Sequence, residues 1–210
     1  MSVDPSAPIQ RYSDGERITH WTVAILFVLV AISGLSLFHP ALFWLSNLFG
    51  GGPWTRILHP FLGVAAVAAF VVMMARFWGY NRIEERDRQW LRQWRDVVAN
   101  REDKLPAVGR YNAGQKVLFW VLVVCMLALL VTGILFWRPW FADSFPIFLV
   151  RLATLAHAAI ATIVILAVIV HVDAAIWTRG SIRAMMRGTV STRWAMKHHR
   201  AWAQEKIKQG

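Results

Sequence analysis

LATLAHAAIATIVILAVIVHV, residues 152–172, is a run of 21 residues without Asp, Glu, Lys or Arg. At about 1.5 Å per residue, a helix of this length matches a bilayer core of roughly 30 Å and makes its backbone hydrogen bonds internally. Three further uncharged runs have similar lengths, at residues 21–38, 57–75 and 117–137. The pattern predicts an all-α integral membrane protein, a four-helix transmembrane bundle.

The composition of the 210 residues agrees with a membrane protein and excludes a soluble globular one. Hydrophobic residues make up 57% of the chain and charged residues 17%, and the mean hydropathy is +0.43. The net charge of +11 would suggest nucleic acid as the partner of a soluble protein. Here the basic residues bound the apolar runs, so we predict membrane lipid as the partner and no nucleic acid.

The distribution of Lys and Arg predicts the orientation of the helices. Twenty lie in the first 20 residues, in the 76–116 segment or in the tail after residue 178, and three lie in the other two connections. Because basic residues concentrate on the cytoplasmic side, both termini are predicted to be cytoplasmic. We predict one membrane domain, 1–210, with helices at about 20–38, 56–78, 114–137 and 151–177, a cytoplasmic loop at 79–112 and a cytoplasmic tail at 178–210.

Four of the seven histidines lie at or inside the apolar runs, where an ionisable side chain is costly and requires a reason: His20, His59, His157 and His171. His157 and His171 are 14 residues apart, so they share nearly one helix face and lie about 21 Å apart along the axis. The alternating helix directions then pair His59 with His157 near the outer end. They pair His20 with His171 near the inner end.

Two neutral imidazoles on facing helices are the axial ligands of a b-type haem iron, so the two pairs predict two b haems. With both axial positions filled by protein, such haems carry electrons and offer no open position to a substrate. Gly34, Gly63 and Gly133 lie toward the outer half, where a porphyrin needs helices without side chains in its way. Ordinary packing of small residues is the alternative role for each glycine.

Other interpretations of the histidines stay open at this point. Zinc is disfavoured because histidines divided between opposite membrane faces cannot form one tetrahedral site, and the single cysteine, Cys125, cannot complete one. A hydrogen-bonded interfacial histidine is the alternative for each residue alone, and a non-haem membrane anchor or a transporter is the matching function. His39, His198 and His199 lie outside the runs and are expected to be solvated, without a ligand role.

Several motifs resemble the gamma subunit, or cytochrome b subunit, of respiratory membrane-bound formate dehydrogenase. The most specific is Gly-Arg-Tyr-Asn-Ala-Gly-Gln-Lys at residues 109–116. The others are Glu-Arg-Ile-Thr-His-Trp at 16–21, Arg-Ile-Leu-His-Pro at 56–60, Trp-Arg-Pro at 137–139, His157, His171, Arg-Trp-Ala at 193–195 and Lys-His-His at 197–199. The cytochrome b subunits of hydrogenase and of thiosulfate reductase share the four-helix plan and are the near alternatives.

The resemblance implies a diheme electron carrier in the bacterial cytoplasmic (inner) membrane. It would take electrons from an iron–sulfur beta subunit on the outer side and give them to menaquinone on the cytoplasmic side. A molybdenum or tungsten alpha subunit would oxidise formate, since this chain has no pterin, nucleotide or cluster motif. The inner haem would be held by His20 and His171, and the outer haem by His59 and His157. The resemblance also allows a higher oligomer, built from several copies of the complex of alpha, beta and gamma subunits.

The same resemblance implies that Asn112 and His171 contact the quinone, and Gln115 is a further candidate. Asn112 precedes the third helix on the predicted cytoplasmic side, where an amide can hydrogen-bond a quinone carbonyl. A plain helix N-cap is the alternative role for Asn112. Quinone reduction on this side would take its protons from the cytoplasm while the electrons arrive from outside.

Overall fold

The computed structural model describes residues 7–99, 101 and 104–209. In chain order the elements are β1 (Pro8–Gln10), α1 (Asp14–Phe38), a 3₁₀ helix (Pro40–Phe49), α2 (Gly52–Phe77), a 3₁₀ turn (Trp78–Asn81), α3 (Glu85–Arg92), α4 (Trp94–Val98), α5 (Ala113–Phe136), a 3₁₀ turn (Ala142–Ser144), α6 (Ile147–Trp177), α7 (Ser181–Arg187), β2 (Thr189–Ser191), α8 (Thr192–His198) and α9 (Arg200–Gln209).

Four of these helices, α1, α2, α5 and α6, are long and apolar enough to cross a membrane. The predicted all-α membrane fold is confirmed, with a two-stranded ladder as an addition. Many large apolar side chains on these helices are exposed, among them Val124 at 65% and Leu155 at 69%. Such exposure suits helices whose surfaces face lipid or partner helices.

The first spanning helix begins earlier than its apolar run because a polar motif fixes its start. The backbone N–H of Ser13 donates to Glu16 Oε2 at 2.8 Å, and the backbone N–H of Glu16 donates to Ser13 Oγ at 3.3 Å. This reciprocal pair is a capping box, which satisfies donors that a helix start leaves unpaired. α1 therefore begins at Asp14, whereas the charge-free run predicts a start near residue 20.

The connection between α1 and α2 is a short 3₁₀ helix with defined ends. His39 caps its start, since Nδ1 accepts a hydrogen bond from the Ala41 N–H at 3.2 Å. Gly50 and Gly51 follow its end with φ angles of +86° and +94°, a left-handed conformation that glycine adopts without a Cβ clash. The exposed side chain of Trp44 suits an element that lies along a membrane interface.

The chain divides into two compact units. One contains the described residues of Met1–Arg17, Arg76–Val121 and Asp173–Gly210, and we call it the polar unit. The other contains Ile18–Ala75 and Leu122–Val172, and we call it the apolar unit. The apolar unit holds most of the four spanning helices, and the polar unit holds both strands and the short α-helices α3, α4, α7, α8 and α9.

A small antiparallel ladder joins distant parts of the sequence within the polar unit. β1 pairs with β2, with Ile9 opposite Val190. The pairing continues at the Gly188 carbonyl, which accepts from the backbone N–H groups of Arg11 (2.8 Å) and Tyr12 (3.0 Å). The ladder therefore ties the segment before α1 to the segment after α7.

A buried ion pair fixes α3 to the start of α5 in the same unit. Lys116 Nζ lies 2.7 Å from Asp87 Oδ2, and the two side chains are only 5% and 6% exposed. Lys116 Nζ also donates to the Arg82 carbonyl at 2.9 Å. Because both charges are removed from water, each needs the other as a partner.

Candidate functional site

The four histidines of the spanning helices lie in the apolar unit as two facing pairs. His59 on α2 faces His157 on α6, with ring centroids 6.4 Å apart and an interplanar angle of 75°. His20 on α1 faces His171 on α6, with centroids 6.5 Å apart and an angle of 50°. After the predicted orientation, we call them the outer pair and the inner pair.

The separation within each pair fits two ligands of one iron. A metal–imidazole bond is about 2 Å long and a ring nitrogen lies about 1 Å from its ring centre, so opposite ligands have centres roughly 6 Å apart. The observed 6.4 and 6.5 Å agree with this distance. If the imidazoles of each pair only stacked on each other or shared a hydrogen bond, there would be no reason for the same spacing to recur in two separate pairs.

Hydroxyl groups set the tautomer of the outer pair. His59 Nδ1 lies 2.8 Å from Ser33 Oγ, and Ser33 Oγ donates its one proton to the Val30 carbonyl at 3.0 Å. The hydroxyl must therefore accept from His59, which places the proton of the neutral ring on Nδ1. His59 Nε2 then carries the free lone pair that a metal ligand requires.

The second histidine of the outer pair has the same arrangement. His157 Nδ1 lies 2.9 Å from Thr132 Oγ1, which donates to the Ala128 carbonyl at 2.7 Å. Thr132 therefore accepts the Nδ1–H of His157 and leaves Nε2 free as a ligand. Both outer histidines are thus oriented and held in the ligand tautomer by residues of the neighbouring helix.

Two glycines leave room beside the same rings. A Cβ at Gly34 would lie 3.1 Å from His59 Cε1, and a Cβ at Gly133 would lie 3.4 Å from His157 Cε1. The first distance is tighter than an ordinary contact, so Gly34 permits the observed position of the His59 ring. Gly63 differs, because a Cβ there would meet no described atom within 4 Å.

The inner pair is less tightly held. His20 Nδ1 is buried and has no hydrogen-bond partner among the described residues. A buried nitrogen without a partner is costly, so this ring has a capacity for a ligand that the chain itself does not fill. The histidines of both pairs therefore fit a haem, and the outer pair has the more complete surroundings.

A zinc site would need more protein ligands than each histidine pair supplies. Within residues 7–99, 101 and 104–209, no group of three or more His, Cys, Asp and Glu side chains could hold a metal ion. The spanning histidines meet only in twos. Structural and catalytic zinc sites take at least three protein ligands, so two-histidine sites do not suit zinc.

The predicted quinone residues Asn112 and Gln115 lie at the start of α5 in the polar unit, whereas His171 belongs to the apolar unit. Asn112 Oδ1 accepts from the Gln115 N–H at 2.8 Å, and Gln115 Oε1 accepts from the Asn112 N–H at 3.0 Å. The two side chains therefore form a reciprocal cap. This cap uses both amide oxygens and neither of the Asn112 side-chain N–H donors.

Sequence reasoning did not identify Ser33 and Thr132. The signal that could have found them is a hydroxyl residue followed by glycine, Ser33-Gly34 and Thr132-Gly133. These dipeptides precede their histidines by 26 and 25 residues. The repeat of hydroxyl, glycine and histidine in both helix pairs is visible in the sequence once the contacts are known.

The expectation of a solvated His199 was wrong. Its side chain is buried, with Nε2 3.0 Å from Arg11 Nη2 and Nδ1 2.9 Å from the Gly109 carbonyl. Burial, followed by the adjacent Arg11 guanidinium, lowers the pKa of His199 to about 3. The residue is therefore a neutral, structural histidine of the polar unit, because packing against Arg11 and the 109 segment removes it from water.

Comparison with known proteins places these features in a family context. The sequence profile of a family described as prokaryotic cytochrome b561 matches residues 11–188. The chain is similar to the nitrate-inducible formate dehydrogenase cytochrome b556(Fdn) subunit of Escherichia coli K12, with 46% identity over 190 residues, 90% of this chain and 88% of the relative.

Two further relatives have comparable coverage. The formate dehydrogenase cytochrome b556(fdo) subunit of Escherichia coli K12 is 42% identical over 197 residues, 94% of this chain and 92% of the relative. The formate dehydrogenase cytochrome b556 subunit of Haemophilus influenzae is 37% identical over 207 residues, 99% of this chain and 87% of the relative.

Proposed function

The chain belongs to the prokaryotic cytochrome b561 family and, within it, to the formate dehydrogenase cytochrome b subunits, and from this premise we propose that it carries electrons through two b haems to menaquinone. It is a multi-pass protein of the bacterial inner membrane. As a formate dehydrogenase subunit, it works with a catalytic subunit and an iron–sulfur subunit. The observation that carries the diheme proposal is the equal spacing of the two histidine pairs.

Each histidine pair has a defined role in this proposal. When bound, each haem would supply a one-electron carrier. His59 and His157 would hold the outer haem, and His20 and His171 would hold the inner one. Ser33 and Thr132 would keep the outer ligands in the required tautomer.

The direction of electron transfer follows from the predicted orientation. The iron–sulfur subunit would deliver electrons on the outer side, and menaquinone would be reduced on the cytoplasmic side. Asn112 is our candidate for binding a quinone carbonyl through its side-chain N–H donors, with His171 and Gln115 as the other contacts. The protons would then come from the cytoplasm, so that the reaction charges the membrane. The oxidation of formate would take place at molybdenum or tungsten on the catalytic subunit.

Purification of the complex tests the proposed function directly. The chain, isolated from its host under mild conditions, should copurify with an iron–sulfur subunit and a molybdenum- or tungsten-containing subunit. The complex should reduce a menaquinone analogue with formate as the electron donor. Copurification with a hydrogenase or thiosulfate reductase subunit, without formate oxidation, would assign the chain to one of the related complexes instead.

The hydroxyl groups of the outer pair provide a second test. Thr132→Val keeps the shape of the side chain but removes the acceptor of the His157 Nδ1–H. The imidazole then donates less electron density to the iron, which favours the reduced state. We expect the midpoint potential of one haem to rise by tens of millivolts, on the order of the 59 mV of a tenfold equilibrium change. Spectroelectrochemical titration measures it.

Thr162→Val is the matched control for this substitution. Thr162 also lies on a spanning helix and donates to a carbonyl four residues earlier, Ala158, at 2.9 Å. Its hydroxyl is not bonded to a histidine, so both haem potentials should stay unchanged. Equal shifts in Thr162→Val and Thr132→Val would show that loss of a helix hydroxyl, and not loss of the histidine contact, changes the potential.

The quinone role of Asn112 can be separated from its capping role. Asn112→Ser keeps a side-chain oxygen that caps a helix well but removes the amide N–H donors. We expect menaquinone-analogue reduction to slow about tenfold, the effect of losing one hydrogen bond of about 1.4 kcal/mol, with both haem spectra intact. Steady-state turnover measures this change.

Gln115→Ala is the comparison that isolates the cap. It removes the return bond from the Asn112 N–H while the Asn112 side chain stays. If quinone reduction by Asn112→Ser equals that of the unaltered protein, Asn112 serves α5 alone and the quinone binds elsewhere. If only Gln115→Ala slows the reaction, Gln115 is the residue that matters for the quinone.

A further inference from the structure

The polar unit contains an open pocket with a surplus of positive charge. Its volume is about 870 Å³. The described residues that line it include one carboxylate, Glu16, and four cations, Arg11, Arg76, Arg110 and Lys206. A concave surface with this charge balance attracts anions.

Arg11 is the most unusual residue of this pocket. It is 4% exposed, and no described carboxylate forms an ion pair with it. Nη2 donates to the Arg110 carbonyl and lies 3.0 Å from His199 Nε2, but Nη1 is buried without a hydrogen-bond partner among the described residues. A buried cation without an anion is costly. The described part of the pocket therefore lacks an anionic partner for Arg11.

The neighbours of Arg11 hold the guanidinium but do not neutralise it. The rings of Trp194 and Trp202 lie with centroids 5.1 Å from its Cζ, within the range of cation–π contacts. His199 stays neutral, as its lowered pKa indicates. These contacts fix the position of the Arg11 guanidinium without supplying an anion to it.

Glu16, the one acid among the described residues of the pocket lining, already has a partner. Glu16 Oε1 accepts from Arg110 Nη2 at 2.8 Å, and the two side chains are 12% and 15% exposed. The Arg110 guanidinium also stacks on Tyr80 at 3.9 Å from the ring centroid. Among the described residues, no carboxylate forms an ion pair with Arg11, Arg76 or Lys206, so this lining keeps a positive charge.

The position of the pocket along the chain indicates which anion it meets. Arg76 lies in the last turn of α2, and Tyr80 lies in the 3₁₀ turn that follows, where a spanning helix leaves the hydrocarbon. Tyrosine and basic residues are common at the level of the lipid headgroups. Ile9 and Ile207 add apolar surface to the same pocket, which suits the glycerol and upper acyl region of a lipid.

We propose that this pocket binds the phosphate of an anionic phospholipid headgroup. Guanidinium groups bind phosphate oxygens through two parallel hydrogen bonds, and Lys206 adds a point charge at the edge. The pocket is built from guanidinium and ammonium groups of the polar unit, whereas the haem proposal rests on imidazoles of the apolar unit. It can therefore be tested, and can fail, without affecting the proposed electron transfer.

The test uses the full-length chain, loaded with haem and freed of lipid in a neutral detergent. Short-chain phosphatidylglycerol is titrated against it while the tryptophan fluorescence is recorded, because Trp202 lines the pocket. Phosphatidylglycerol should bind at least about tenfold more tightly than phosphatidylcholine of the same chain length. Lys206→Gln should weaken phosphatidylglycerol binding about tenfold, the effect of losing one charge-assisted contact.

Lys208→Gln is the matched control, since Lys208 is exposed on α9 two residues beyond Lys206 and does not line the pocket. The affinity of the Lys208→Gln variant for phosphatidylglycerol should stay within about twofold of that of the unaltered chain. Equal losses in Lys206→Gln and Lys208→Gln, or equal binding of the two lipids, would overturn the proposal. Inorganic phosphate that binds as tightly as the lipid would show that the ligand is free phosphate.

Discussion

His157→Ala should reduce the haem content from two b haems per chain to about one, the largest change in cofactor content that we predict. The substitution removes one of the two facing rings of the outer pair and leaves His20 and His171 untouched. His59 would then be the one remaining ligand of the outer haem, which one ligand and packing would hold too weakly to survive purification. A pyridine haemochrome assay on the purified chain measures the content, and the reduced spectrum identifies the haem that remains.

His39→Ala is the control, since His39 caps a connecting 3₁₀ helix and pairs with no other histidine ring among the described contacts. It should retain both haems. Circular dichroism separates loss of a ligand from loss of the fold, because a folded His157→Ala chain keeps its helix signal. A folded His157→Ala variant that still contains both haems would exclude His157 as a ligand. It would also contradict the proposal that each histidine pair holds one haem.

Asp87→Ala should destabilise the polar unit by about 3–5 kcal/mol, the largest effect on stability that we predict. It leaves the Lys116 ammonium buried at 5% exposure with the Arg82 carbonyl but without its carboxylate. A buried charge that has lost its partner keeps the full penalty of removal from water. Denaturant unfolding, followed by fluorescence of tryptophans in the polar unit, measures the change.

Glu85 lies two positions before Asp87 on α3, and Glu85→Ala is the control because it breaks an exposed ion pair instead of a buried one. Glu85 and Arg88 are 3.6 Å apart, with side chains 63% and 67% exposed. Exposed pairs contribute little because water screens both charges, so the change should stay within about 1 kcal/mol. If Asp87→Ala and Glu85→Ala lower the free energy of unfolding equally, burial does not determine how much the Asp87–Lys116 pair contributes to stability.

The periodicity and charge of the sequence were enough to predict the four spanning helices. An uncharged run of about 20 residues has few alternatives, because a bilayer accepts only internally hydrogen-bonded segments. The pairing of the histidines could also be predicted from the sequence. Two histidines 14 residues apart on one helix lie at two depths, which leaves few ways to pair them with the histidines of neighbouring helices. Their role as haem ligands remains a prediction that the substitutions above test.

The supporting contacts could not be predicted in the same way. A serine or threonine inside a spanning helix bonds its own backbone, as Ser33 and Thr162 both do, so a hydroxyl residue alone does not indicate a histidine partner. The burial of His199 depends on residues near 11 and 109, which lie far away in the chain. Long-range polar contacts of this kind leave no periodic signal.

The ladder between β1 and β2 has a consequence for biosynthesis. β1 is made first, but its partner residues 189–191 are made only after all four spanning helices. Residues 189–191 are therefore not available to β1 until the fourth spanning helix has been synthesised, so the ladder can close only after translation has passed α6.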